Sequence, residues 1–173
     1  MRTWNIIDGD DGTYVLLNGS DTVIRKHKNI SFTVMIGLLS KMEELDVPIA
    51  YTDGIKEIYL TYLKGKLEGD LKRKERKIRI GCNNAFLNTL HETLIHELGH
   101  HVDDREDISD RNDFVREWKK LSGSFAQYDM QSQPDEYFAH AFTEYYVNRR
   151  GMAQRYPLMY RYSKQIHDKY SKK

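Results

Sequence analysis

The chain has 173 residues, 31% of them charged and 39% hydrophobic, with a formal net charge of +1. That length fits one domain able to bury about 70% of the surface its unfolded chain exposes, and the balanced charge excludes a strong global field for nucleic acid or an anionic membrane. Cys82 is the single cysteine, which excludes an intramolecular disulfide, and no run of about 18 apolar residues is present to span a bilayer. Residues 1–5 lack the apolar run of a signal peptide, so a soluble, cytoplasmic protein is expected. A secreted protein whose leader has been removed is the alternative.

In chain order, residues 13–17 and 22–25 predict two strands flanking Asn18-Gly19, a hairpin signal. Ser31 is placed to cap a helix over 31–45, which Asp46-Val47-Pro48 ends. Residues 48–52, 57–63 and 77–82 read as short strands, with a Gly-containing turn over 65–70. The segment Lys72-Arg73-Lys74-Glu75-Arg76-Lys77-Ile78-Arg79 is the one basic cluster. No aromatic residue interleaves with its charges, so a solvated strand or hairpin is expected rather than an acidic or nucleic-acid partner.

Leu87, Leu90, Leu94, Leu98 and Val102 then recur at helical steps, with Asn83 or Asn84 available as a cap. Three further helical patterns follow, over 111–121, 135–148 and 153–169. The expected architecture is a small α+β domain spanning 1–173, strand-rich over about 1–82 and helical over about 83–173. Eight of the twelve tyrosines lie from Tyr128 onward, where helical spacing favours core over groove.

The segment with most chemical content is His96-Glu97-Leu98-Gly99-His100. Residues four apart on a helix share a face, so His96 and His100 can offer imidazole nitrogens to one metal ion while the leucine stripe packs elsewhere. Glu97 then sits beside the open coordination position, as a base rather than a ligand. Gly99 leaves space on the ligand side of the last turn. The plainer reading is two surface histidines flanking a glutamate.

A catalytic zinc needs a third protein ligand. The positions where a metzincin carries Gly and His hold Asp103 and Glu106, so the ligand is expected from another helix. Glu136, His140 and Glu144 share the polar face of the helix that opens at Pro134-Asp135, and two of the three could reach a metal.

The blocks His96-Glu97-Leu98-Gly99-His100-His101-Val102-Asp103-Asp104 and Glu136-Tyr137-Phe138-Ala139-His140-Ala141-Phe142 resemble the catalytic domains of anthrax lethal factor and the related bacterial Pro-Pro endopeptidases. The match runs over 94–148, about a third of the chain. The resemblance implies a zinc-dependent endopeptidase with one catalytic ion. In it Glu136 is the third zinc ligand, Glu97 the catalytic base, and Tyr128 the support for the oxyanion. It also implies a peptide substrate held in extended form along an edge strand, for which 77–82 is the candidate. Two positions depart from the pattern. Tyr128 stands eight residues before Glu136, one more than the family spacing, and His140 occupies a position where the family has a second glutamate. His140 can hydrogen-bond near the site, replace Glu136 as ligand, or shift the pH dependence. Asp103 and Asp104 could orient an imidazole from outside.

A noncatalytic descendant acting as a binding or regulatory module is the alternative function. Retention of Glu97 argues against it, since a structural zinc site has no need of a base. The sequence does not select a substrate. Glu97→Gln is expected to keep the metal and lose nearly all turnover. Full activity in that variant would remove Glu97 from the base role.

Overall fold

The computed structural model describes residues 4–9, 12–64, 68–83, 89–121 and 133–172. Among them six strands form one sheet in the order β1-β2-β3-β4-β6-β5. These are β1 (Trp4–Gly9), β2 (Gly12–Leu17), β3 (Val23–Lys26), β4 (Glu57–Thr61), β5 (Gly69–Lys72) and β6 (Lys77–Gly81). β3–β4 and β4–β6 are parallel, and the other neighbours are antiparallel. The helices are α1 (Phe32–Glu44), α2 (Leu90–Glu106), α3 (Asn112–Leu121), α4 (Pro134–Val147), α5 (Arg149–Arg155) and α6 (Pro157–Tyr170). The mixed α+β architecture, strands and one helix before α2 and helices after it, is the expected one. None of these helices is long and apolar enough to cross a membrane.

Strand alternation decides which face of the sheet is covered. Ile58 and Leu60 of β4 and Ile78 and Ile80 of β6 are buried, while Glu57, Tyr59, Lys77 and Arg79 point the other way. The buried set packs against Met35, Leu38 and Leu39 of α1 and Leu94, Leu98 and Val102 of α2. The opposite face carries three cations of the basic cluster, which share two carboxylates. Lys77 pairs with Glu57 at 2.8 Å, Lys72 with Asp70 at 3.0 Å, and Arg79 with Asp70 across the β5–β6 ladder. A hairpin with cross-strand partners explains this run of cations, as the composition suggested.

Ser31 caps α1, accepting from the Thr33 backbone N–H at 3.2 Å. Cys82 is buried as a small apolar residue, and burial pushes its thiol pKa up to about 11.

Five local expectations are corrected. Residues 48–52 are no strand: Ile49–Thr52 is a single 3-10 turn, because Tyr51 turns inward against Phe142 and Thr52 Oγ1 bonds back to the Ile49 carbonyl at 2.9 Å. Part of the expected 65–70 turn is strand β5, and β1 was not anticipated at all. The single helix over 153–169 is divided at Tyr156, since Pro157 has no N–H to continue α5 and instead opens α6. β6 lies inside the sheet between β4 and β5, so the edge beside α2 is β5, not 77–82. Finally, α2 begins at Leu90, and Asn83 donates to the Leu63 carbonyl at 3.0 Å instead of capping it. Asn84 and Leu87 lie outside the described residues.

The C-terminal aromatics are core, as their spacing implied. Tyr51 and Tyr146 share a hydroxyl hydrogen bond of 2.7 Å, and Tyr146 reaches His167 Nδ1 at 3.1 Å. Burial holds the His167 pKa below its ordinary value, with Arg149 and Lys164 acting in the same direction and Asp46 and Asp168 opposing. The unfolded chain therefore takes up this proton first as pH falls below about 6.5. Stability is lost from there down to the depressed folded pKa. Between about pH 7.5 and 5.5 the melting temperature is expected to fall more in the wild type than in His167→Gln. Equal falls in the two proteins would contradict this.

Candidate metal and active site

α2 and α4 cross at Gly99. A Cβ there would lie 2.9 Å from Ala139 Cα and 3.3 Å from Ala139 Cβ, closer than side chains pack. The glycine thus lets the two helix backbones meet, a different use of its small size from the ligand-side space anticipated. This contact sets the spacing of the side chains that flank it.

His96, Glu97 and His100 come from α2, and Glu136 comes from the first turn of α4 beside Pro134 and Asp135. A carboxylate there gains from the unpaired N–H groups of the helix start. His96 Nε2 and His100 Nε2 are 3.2 Å apart. Glu136 Oε2 lies 3.3 Å from His96 Nε2, and its Oε1 lies 3.4 Å from His100 Nε2. Among the described residues these three form a group whose donor atoms lie within 4.8 Å of one another. A tetrahedral ion with bonds of about 2.0–2.1 Å needs donor–donor edges of about 3.3 Å. Each nitrogen has a different Glu136 oxygen as its near neighbour, so the carboxylate straddles the pair, and two imidazoles with one carboxylate are a donor set that suits zinc.

The electrostatics agree with that donor set. Hydrogen bonds from His100 and His96 hold the Glu136 carboxyl far below the usual carboxylate range, against the effect of its partial burial. Burial disfavours a charged His100, but Glu136 outweighs it and raises the pKa. The direction that matters for ligation is the ionised Glu136.

Glu97 is buried and points to a different neighbour. Burial raises its pKa, partly offset by His96 and His100. Its Oε1 lies 3.1 Å from where a Cβ on Gly69 would sit, and Thr93 Cγ2 lies 2.7 Å from the same point. Edge strand β5 therefore passes directly over the base candidate, at a residue that has no side chain. A cleft of about 530 Å³ opens between β5, α2 and α4. Glu68, Glu92, Asp135 and Glu144 contribute carboxylates to its walls, and Arg73 is the one Lys or Arg among the described residues lining it.

The remaining expected residues fall in distinct places. His140 lines the cleft one turn beyond Glu136 and outside the three-donor group, and burial lowers its pKa. Asp103 and Asp104 do not orient an imidazole. Asp103 accepts from the Ser109 backbone N–H at 2.8 Å, and Asp104 pairs with Arg73 at 2.6 Å. Tyr128 lies outside the described residues. The sequence reading missed Gly69, Thr93 and Arg73 as cleft residues. The signal was the charge complementarity of Asp70 with Arg79, which marks 69–72 as one arm of a hairpin.

The family model described as "Anthrax toxin lethal factor, N- and C-terminal domain" matches residues 21–166. The fold is similar to that of the Pro-Pro endopeptidase PPEP-2 from Paenibacillus alvei, with a TM-score of 0.60 and 21% identity, covering 84% of this chain and 95% of that one. No curated protein sequence matches the chain.

Helix propensity alone favours alanine over glycine by about 1 kcal/mol. Gly99→Ala is nevertheless expected to lower stability by about 1–3 kcal/mol, because the neighbouring atom is backbone and cannot swing aside. Chemical denaturation measures this, and a stabilised variant would contradict the close crossing.

Proposed function

The chain belongs to the anthrax toxin lethal factor family, and from that premise we propose that it is a zinc-dependent endopeptidase acting on an extended peptide or protein substrate. The observation that carries the reading is the convergence of His96 Nε2, His100 Nε2 and the Glu136 carboxylate, with donor atoms within 4.8 Å of one another, and Glu97 buried next to His96 on the same helix. We take residues 1–173 as one catalytic unit.

In this reading His96, His100 and Glu136 hold the ion. Zinc supplies a water whose pKa falls towards roughly 7, together with polarisation of the scissile carbonyl. Glu97 accepts the proton of the attacking water and delivers it to the leaving amine. Its raised pKa makes it a stronger base towards the water and moves it nearer the operating pH, where one carboxyl group can both take up and release a proton. The outer edge of β5, which no other described strand pairs, offers backbone N–H and C=O groups to a peptide lying antiparallel or parallel to it. Gly69 keeps that strand close to Glu97. Tyr128 is assigned the stabilisation of the oxyanion on the strength of the family resemblance alone.

A diverse peptide library incubated with zinc-loaded protein and read by mass spectrometry tests the proposal, with Glu97→Ala in parallel. Cuts made by the wild type and absent from the variant are expected. A zinc-containing wild type that makes no cuts would favour the noncatalytic alternative. Glu136→Ala is expected to lose bound zinc while His140→Ala retains it, measured as metal content after dialysis. The reverse pattern would make His140 the third ligand.

A further inference from the structure

The strand that borders the cleft is short. β5 has four residues and, among the described residues, pairs only with β6. Its other edge faces the cleft, so its position relative to α2 has to be fixed by something other than sheet hydrogen bonds. At one end Gly69 lies against Thr93 and Glu97, and Thr93 Oγ1 approaches Glu68 Oε2 at 3.5 Å. At the other end Arg73 presents two guanidinium donors to one carboxylate: Nε to Asp104 Oδ2 at 2.6 Å and Nη2 to Asp104 Oδ1 at 3.0 Å. The seven residues from Glu97 to Asp104 advance about 10 Å along a helix, and the three from Gly69 to Lys72 advance about 10 Å along the strand, with Arg73 following in a 3-10 turn. The two contacts thus pin strand and helix side by side over nearly equal lengths.

We propose that Arg73 and Asp104 are positioning residues, a clamp that holds β5 at the separation from α2 at which a peptide aligned on β5 presents its scissile bond to Glu97. This rests on the endopeptidase reading. The forked, two-bond geometry is what makes Arg73 suited to the task, because it fixes distance and angle together and a lysine ammonium fixes neither. Both side chains are substantially exposed, at 57% and 38%, so the pair contributes little to global stability. Its removal separates positioning from folding.

The test uses the full zinc-loaded chain and, as reporter, the peptide cut fastest in the library. Arg73→Met and Asp104→Asn are expected to lower kcat by about tenfold to a hundredfold, the loss that a displacement of about 1 Å produces. Zinc content and melting temperature stay near wild type. Arg73→Lys recovers little of the loss. The double variant loses no more than either single one, because both break the same contact. Hydrogen exchange at the β5 amides speeds up in Arg73→Met, while that of β4 is unchanged. An unchanged kcat in the single variants, or losses that simply multiply in the double variant, overturns the clamp. If the wild type cuts nothing, the endopeptidase reading fails and exchange alone decides: faster β5 exchange in Arg73→Met sustains the clamp, and unchanged exchange overturns it.

Discussion

The closeness of α2 and α4 at Gly99 and Ala139 is the constraint on which the site depends. Three donors from two helices can meet within a few ångströms only if the helix backbones nearly touch, and a glycine at the crossing allows that. The same contact separates two functions within α2. Leu94, Leu98 and Val102 face the sheet, while His96, Glu97 and His100 border the cleft. The helix is buried along most of its length, which restrains the imidazoles without drawing on the metal. Rigid helices position ligands better than loops do.

The cleft environment then separates the roles of two glutamates that lie close together. Glu136 sits at a helix start and receives hydrogen bonds from two imidazoles, so it stays ionised and suits ligation. Glu97 sits under β5 at the cleft wall, largely buried, and its proton affinity rises, which suits proton transfer. Environments that push two carboxyl groups in opposite directions are the usual way one site obtains both a fixed anion and a mobile proton carrier. Strand β5 belongs to both problems, because it covers Glu97 on one side and on the other offers an edge that no other described strand pairs.

Much of this was legible in the chain. His96, Glu97 and His100 follow from spacing alone, and Glu136 from the resemblance of the second block. The capped helix at Ser31, the hairpin around Gly19 and the buried stripe of α2 were readable because each is a local pattern with a local cause. The elements missed have causes distant in sequence. Tyr51 draws 48–52 into a turn through partners on α4 and α6, which no window around Pro48 reveals. β5 has too few residues for a hydrophobic period and is defined by β6. Gly99 could be read as space for a ligand, but its use in helix crossing depends on Ala139, forty residues away. Asp104 appeared as an imidazole partner until Arg73 was brought beside it by the hairpin.

The central claim is that His96, His100 and Glu136 hold one zinc ion. A crystal of the zinc-loaded protein, with anomalous scattering recorded on both sides of the zinc edge, tests it most directly. A single strong peak about 2.0–2.2 Å from both Nε2 atoms and a Glu136 oxygen is expected. A site lacking a zinc peak, or a zinc ion whose third ligand is His140 or Glu144, would contradict it.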